Sequence, residues 1–201
     1  MEQLKLKSGA TALVIVAHPD DETIWLGGAL AHFSQIKWTI LVLCRAADPD
    51  RAPKFRRVAA HFNATGLIAD LEDEGRLSIA RSLAPIKKII QEQIGAQKFD
   101  YLFTHGQNGE YGHERHIAVH QAVKNLLETG RLSIGQALVF NYKKQTKYTL
   151  APKADSNFIL NLSAKEYAAK KKVMSDIYGF APDGIDAGYC TTVEAFKILN
   201  F

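Results

Sequence analysis

The sequence predicts an α/β protein with a Rossmann-like, mostly parallel sheet and helices on both faces. Two observations favour this class: short apolar runs alternate with segments of helical period, and polar, chemistry-bearing residues directly follow two of the predicted strands. The chain has 201 residues, of which 47% are hydrophobic and 23% charged. This length and composition fit one domain over residues 1–201 that can bury a substantial core.

The elements follow from the period of the apolar residues along the chain. Strands are predicted at residues 12–16, 38–44, 66–71, 99–104, 136–142 and 157–162, and helices at residues 23–35, 54–63, 83–94, 114–128 and 163–178. Ser163 is expected to cap the last helix, with Glu166 three residues on. Gly27 and Gly28 indicate close packing of the first helix on the sheet. Residues 179–201 show no clear pattern.

Composition argues against several functional classes. The formal charge is +4 and the isoelectric point about 9.0, but the lysines lie in scattered groups without interleaved aromatic residues, so we expect no nucleic-acid partner. No stretch approaches the roughly 20 apolar residues of a membrane span. Cys44 and Cys190 belong to no Cys-x-x-Cys pair, which argues against a thiolate zinc site and favours a reducing, cytoplasmic location.

The most informative segment is residues 17–22, Ala-His-Pro-Asp-Asp-Glu, which directly follows the apolar run 12–16. His18 and Asp21 lie three residues apart at a helix start, so their side chains can lie on one side of one turn. Zinc accepts both ligand types, and a catalytic zinc normally has three protein ligands. The third would come from His105, His113, His116 or His120. Aspartates here could also only cap the helix, but capping leaves His18 and Glu22 unexplained.

The second cluster, residues 113–120, follows a turn-rich segment after the fourth predicted strand. It is not the zincin motif, because no glutamate follows the first histidine of the pair His116 and His120. His113 and His116 can face one way, one as a metal ligand and the other reaching the substrate, while His120 lies a further turn along. Spacing alone does not assign these roles.

Together, the two segments resemble the PIG-L/LmbE-like zinc de-N-acetylases, a family that includes N-acetylglucosaminyl-phosphatidylinositol de-N-acetylase. The motifs that carry the resemblance are Ala17-His18-Pro19-Asp20-Asp21-Glu22 and Gly109-Glu110-Tyr111-Gly112-His113-x-x-His116. The resemblance implies a Rossmann-like fold with zinc held by His18, Asp21 and His116. It also implies Asp20 as the general base and His113 as the donor to the oxyanion or to the leaving amine.

The same resemblance suggests Tyr111, Arg56 or Arg57, and Asp73 as contacts to the substrate. One departure is that many relatives have Pro-Asp between the two histidines, where this chain has Glu114 and Arg115. A carboxylate there could hold His113 protonated. The detailed role of His113 is therefore left open by the sequence.

The resulting hypothesis is a zinc-dependent hydrolase that removes the N-acetyl group from an N-acetylglucosamine-type glycoconjugate. Another divalent transition metal could replace zinc, and a homo-oligomer is compatible with the sequence. The alternatives are a zinc hydrolase of a non-sugar amide and a non-catalytic sugar- or nucleotide-binding module on the same fold.

Overall fold

A computed structural model describes residues 1–201 and contains ten strands and seven α-helices. The strands are β1 (Glu2–Gln3), β2 (Thr11–Val16), β3 (Lys37–Cys44), β4 (Thr65–Leu71), β5 (Lys98–Thr104), β6 (Ser133–Phe140), β7 (Tyr142–Lys144), β8 (Leu150–Pro152), β9 (Phe158–Asn161) and β10 (Val193–Ile198). The helices are α1 (Asp21–His32), α2 (Arg51–His61), α3 (Ile79–Ile94), α4 (Gly109–Gly112), α5 (Glu114–Glu128), α6 (Ala164–Val173) and α7 (Ile185–Tyr189), with a π-helical turn at Met174–Tyr178.

Eight strands form one sheet in the order β1-β9-β10-β6-β5-β2-β3-β4. The five adjacent strands β4, β3, β2, β5 and β6 are parallel to one another. The chain first builds outward from β2 through β3 to β4, then crosses to β5 and β6 on the other side. This reversal lies between β2 and β5, and ligands in such sheets bind outside the strand ends at that point. The predicted fold class is confirmed.

Side chains of β2 alternate between two apolar cores, one on each face of the sheet. Val14 and Val16 belong to the core under α1, α2 and α6, whereas Leu13 and Ile15 belong to the core under α3 and α5. All four side chains are fully buried. Helices therefore cover both faces, and the two sequence-predicted loops emerge from the buried middle of the sheet.

The tail differs from the parallel part. The sequence pattern did not predict β10. This strand is antiparallel to both of its neighbours, β6 and β9. The predicted strand 136–142 ends at Phe140, and Tyr142 begins a separate hairpin of β7 and β8. The predicted helix 163–178 ends as α6 at Val173 and continues as the π-helical turn. No helix is long and apolar enough to cross a membrane.

Gly28 lies where α1 approaches the tail. A Cβ atom at Gly28 would overlap the methyl groups of Leu162 and crowd the carboxylate of Glu194. Glu194 accepts hydrogen bonds from the backbone N–H groups of Gly28 (2.7 Å) and Ala29 (2.8 Å) and pairs with Lys170 Nζ (2.7 Å). The predicted close packing at this glycine is confirmed.

Candidate metal centre

The loop between β2 and α1 is held in a strained conformation. Asp20 has φ 129° and ψ −30°, a region that residues other than glycine rarely adopt. Its backbone N–H donates to Glu22 Oε2 at 3.1 Å. The buried Glu22 carboxylate also accepts from the hydroxyls of Thr23 (2.7 Å) and Tyr178 (2.8 Å). Glu22 therefore holds this turn in place through three hydrogen bonds.

Four possible ligand atoms, from three side chains, lie in front of this turn at similar separations. His18 Nδ1 lies 3.3 Å from Asp21 Oδ2 and 3.4 Å from His116 Nε2, and His116 Nε2 lies 3.4 Å from Asp21 Oδ1. Ligands about 2.0–2.2 Å from a tetrahedral zinc are separated from one another by about 3.3–3.6 Å. The three side chains are therefore close enough to share a single ion.

His18 and Asp21 are each oriented by further contacts. His18 Nε2 lies 2.9 Å from Asp73 Oδ1, which leaves Nδ1 facing the centre. Asp21 accepts from the N–H of His18 (2.8 Å) and from Trp25 Nε1 (3.0 Å). Burial alone would lower the pKa of His18, but the carboxylates of Asp21 and Asp73 raise it to about 10. Carboxylate partners of this kind commonly orient metal-binding histidines.

His116 is oriented by a different acid, Glu110. Glu110 is completely buried, and its Oε2 lies 2.7 Å from His116 Nδ1 and 2.9 Å from His105 Nδ1. Burial would raise the pKa of Glu110, but the two histidines lower it to about 2. The third candidate ligand is thus supported by residues of its own loop.

Asp20 lies beside the three donor atoms, and its carboxylate pairs with another residue. Asp20 Oδ2 accepts a hydrogen bond from Arg51 Nη1 at 3.1 Å. Burial and the neighbouring Asp21 raise the pKa of the Asp20 carboxyl well above its usual value, against the opposing charge of Arg51. Asp20 is therefore a carboxyl group with enhanced basicity next to the centre.

The question that Glu114 and Arg115 raised about His113 has a structural answer. The Nδ1 atom of His113 accepts the backbone N–H of Arg115 at 3.2 Å and so caps α5. A neutral imidazole that accepts at Nδ1 carries its proton on Nε2. Burial and the nearby His116 and His18 lower the pKa of His113 to about 4. His113 is thus an uncharged hydrogen-bond donor, and Glu114 is exposed.

Two adjoining cavities open at this centre. The smaller cavity has a volume of about 230 Å³ and is lined by His18, Asp20, Asp21 and His113. Its remaining lining residues are Pro19, Ile24, Trp25, Arg45, Arg51, Asp73, Tyr111, Asp186 and Tyr189. The larger, of about 550 Å³, shares Arg45, Asp73, Tyr111 and His113 with it. The donor atoms therefore lie at the inner end of a cleft that has room for more than an acetamido group.

Of the predicted substrate contacts, Tyr111 and Asp73 lie at the cleft and Arg56 does not. Tyr111 and Asp73 line both cavities, although the carboxylate of Asp73 is already bonded to His18 and Arg45. Arg56 is exposed on α2 and lines neither cavity. Arg51, one and a half turns earlier on the same helix, reaches the site instead.

Several residues of the site were given no role by the sequence, apart from His105, which was one of the candidates for the third ligand. Arg45, Arg51, Asp186 and Tyr189 line the inner cavity, and Glu110 and His105 lie behind His116. His105 gave one signal, its position directly after a strand that neighbours β2. Its Nε2 accepts the N–H of Ala17 at 3.0 Å, so it supports the loop and does not line the cavity.

The chain is similar to a family of known proteins and to several solved structures. Residues 13–127 match the family described as PIG-L: GlcNAc-PI de-N-acetylase. Similar solved structures include the N,N'-diacetylchitobiose deacetylase from Pyrococcus horikoshii, with 13% identity, TM-score 0.62, and coverage of 94% of this chain and 84% of that one. The antimicrobial A40926 pseudoaglycone deacetylase Dbv21 has 13% identity, TM-score 0.63, and coverage of 86% and 83%.

The same architecture also occurs in a protein with a different printed activity. The 4-carboxy-2-hydroxymuconate hydratase from Pseudomonas putida has 13% identity, TM-score 0.64, and coverage of 95% of this chain and 96% of that one. At such identities the structural likeness shows the fold alone. The reaction has to be argued from the family match and from the site.

Proposed function

This chain belongs to the PIG-L family of de-N-acetylases, and we propose that it is a zinc-dependent deacetylase of an N-acetylglucosamine-type glycoconjugate. The reaction breaks the amide C–N bond, adds the oxygen of water to the acetyl carbon, and releases acetate and a free amino sugar. The observation that carries the proposal is the triangle of 3.3–3.4 Å separations among His18, Asp21 and His116, beside the non-ligand carboxylate of Asp20.

Two imidazoles and one carboxylate form a donor set that suits zinc and leaves a position for a water or substrate. Similar sets also bind ferrous iron, so iron or another divalent transition metal is the second choice. A metal held by His18, Asp21 and His116 would supply Lewis acidity for the acetyl carbonyl and for water.

A cytoplasmic location, predicted from the two cysteines, stays a prediction. We also propose that all 201 residues act as one deacetylase domain.

Asp20 is the proposed general base. It takes a proton from the attacking water at its carboxylate and returns that proton to the departing nitrogen. Its raised pKa brings it closer to neutrality, where a carboxylate is a more effective base. Arg51 keeps the carboxylate oriented through the 3.1 Å contact and keeps it ionised for the first proton transfer.

His113 is the proposed hydrogen-bond donor to the oxyanion. Its Nδ1 is occupied by the N–H of Arg115, so only Nε2–H is available to the substrate. A neutral donor needs no counterion, which accounts for the lack of the aspartate that many relatives have between the two histidines. Donors aimed at the developing negative charge contribute strongly to acyl-transfer catalysis.

Substrate contacts are proposed for Tyr111 and Asp73, which line both cavities. We assign to Arg51 the role predicted for Arg56, because Arg51 reaches the inner cavity and its guanidinium stacks on Phe180 at 4.6 Å. The larger cavity gives the group attached to the amino sugar a place to lie.

The test is acetate release by zinc-loaded protein from a panel of N-acetylglucosaminides and of non-sugar acetamides. Equimolar acetate and free amine from the sugar substrates, lost on chelation and restored by zinc, would support the proposal. Turnover of the non-sugar amides alone would favour the second hypothesis, a zinc hydrolase of another amide class. Sugar binding without acetate release would favour a non-catalytic binding module.

A further inference from the structure

We propose that Glu110 is a positioning residue that fixes the proton of His116 on Nδ1 and so keeps Nε2 free to bind a metal. The inference rests on the proposed function in one respect, namely that His116 is a ligand. The position of the proton on His116 can nevertheless be measured in metal-free protein.

The contacts of Glu110 leave His116 little freedom. Glu110 is fully buried, and its Oε1 accepts the N–H of Gly106 at 2.6 Å. Its Oε2 lies 2.7 Å from His116 Nδ1 and 2.9 Å from His105 Nδ1. An ionised carboxylate can only accept hydrogen bonds. Both imidazoles must therefore present an N–H at Nδ1.

The protonation of His105 is fixed independently by the backbone of the other loop. The N–H of Ala17 donates to His105 Nε2 at 3.0 Å, which is shorter than the 3.5 Å from the same nitrogen to Asp21 Oδ2 and favours Nε2 as the acceptor. His105 then carries its proton on Nδ1, in agreement with its contact to Glu110. A chain of hydrogen bonds thus runs from the end of β2 through His105 and Glu110 to His116. The backbone N–H of Ala17 donates to His105, and that of Gly106 donates to Glu110.

The local backbone is bent in a way that brings this carboxylate inward. Glu110 has φ 55° and ψ −57° inside the short helix α4, a conformation that residues other than glycine rarely adopt. Gly109 before it has φ +59°, and a Cβ atom there would crowd Ile117. These two unusual positions place the carboxylate of Glu110 behind His116, where an ordinary helical turn would not.

The alternative is that Glu110 only stabilises the fold and does not determine the tautomer of His116. Two variants distinguish these roles. In Glu110→Gln the single amide oxygen can accept from either Gly106 or the imidazoles. The side-chain NH₂ group then faces whichever partner the oxygen does not. In Glu110→Leu no acceptor remains, and the proton of His116 can instead face Asp21 Oδ1, 3.4 Å from Nε2. Both variants are expected to move this proton toward Nε2.

Glu194→Gln is the matched control. Glu194 is also fully buried and, like Glu110, accepts hydrogen bonds from the backbone, in this case from two N–H groups. Its third partner is Lys170, and it contacts none of the candidate ligands. The control reports what loss of a buried carboxylate does to the fold in general. Thermal unfolding of all three metal-free variants gives the scale of that general effect.

The first readout is the ¹⁵N chemical shifts of the histidine side chains in metal-free protein, which report the tautomer of each ring. We expect His116 to be the Nδ1–H form in wild type and in Glu194→Gln, and the Nε2–H form to gain population in the two Glu110 variants. The second readout is zinc affinity by competition with a chromophoric chelator. We expect affinity to fall about 10- to 100-fold in the Glu110 variants and to be unchanged in the control.

An unchanged His116 tautomer in folded Glu110→Gln and Glu110→Leu would overturn the proposal, as would zinc affinity that falls equally in Glu194→Gln. Wild-type protein that has the Nδ1–H tautomer and binds no zinc would refute the proposed function but not the role of Glu110 in fixing His116. The two failures are therefore distinguishable.

Discussion

The parallel part of the sheet, β2 to β6, and the tail, residues 142–201, contribute to the site in different ways. The parallel part supplies the three candidate ligands, the candidate base and the oxyanion donor, all from two strand ends. The tail supplies a wall of the inner cavity through Asp186 and Tyr189, the hydroxyl of Tyr178 that donates to Glu22, and a buried ion pair that supports α1. Chemistry is concentrated in short motifs, whereas closure of the cleft depends on contacts distant in sequence.

The comparison predicts the largest effect for loss of a ligand from the parallel part. His116→Ala removes one of three donors, so we expect zinc affinity to fall by more than about 100-fold and acetate release with it. Chelator competition and an acetate assay measure the two effects. His61→Ala, an exposed histidine on α2, should change neither. Full zinc affinity in His116→Ala would assign the third ligand to another residue.

In the tail, the largest expected effect is on stability. Lys170→Met leaves the carboxylate of Glu194 buried without its cation, and we expect the free energy of unfolding to fall by about 3–5 kcal/mol. Denaturant unfolding measures this change, with Lys172→Met, an exposed lysine on the same helix, as the control. Folded Lys170→Met should bind zinc normally. A loss of zinc binding in that folded protein would show that the tail also shapes the centre.

Tyr189 tests the wall that the tail contributes. Its ring lies 4.8 Å from that of Tyr111 and lines the inner cavity. Aromatic pairs contribute about 0.5–1.5 kcal/mol, so Tyr189→Ala should raise KM about twofold to tenfold with little change in kcat. Tyr148→Ala, at an exposed tyrosine outside both cavities, should leave KM unchanged. A loss confined to kcat would contradict a purely binding role.

The smallest expected effect is the pH dependence of the α6 cap. His32 and the hydroxyl of Ser163 lower the pKa of Glu166 from 4.5 to about 2. A carboxyl group with a depressed folded-state pKa contributes stability that is present above pH 4.5 and is lost as the pH falls toward 2. Because Glu166 is partly exposed, we expect less than about 1 kcal/mol.

Unfolding free energies of wild type and Glu166→Gln, measured across that pH range, give this contribution by difference. The two proteins should converge at the acid end and separate above it. A constant difference at every pH would mean that the ionisation of Glu166 does not contribute.

Much of the parallel part could be predicted from the sequence because its information is local. Each strand is a continuous apolar run, and His18 and Asp21 share one turn, so spacing alone places them together. The predicted α5 has the same bounds in the structure, residues 114–128. Parallel strands also bring the two histidine-bearing loops to one edge, which the sequence analysis expected.

The remainder could not be predicted because it depends on contacts distant in sequence or on backbone angles. β10 pairs with residues 32 or more positions earlier in the chain, and its antiparallel direction leaves no local signal. The resemblance suggested Arg56 or Arg57, and Arg51 was not considered, because residue spacing does not give the register of a variable loop. Glu110 reaches His116 only through a backbone conformation that is unusual for glutamate.

The most direct test of the central claim is zinc content and acetate release measured together in wild type and Asp20→Asn. Asp20 lies beside the ligand triangle without belonging to it, and asparagine has nearly the same size. We expect stoichiometric zinc in both proteins and acetate release that is about 10²- to 10⁴-fold slower in Asp20→Asn. Acetate release at the wild-type rate with zinc bound would contradict the assignment of Asp20 as the base.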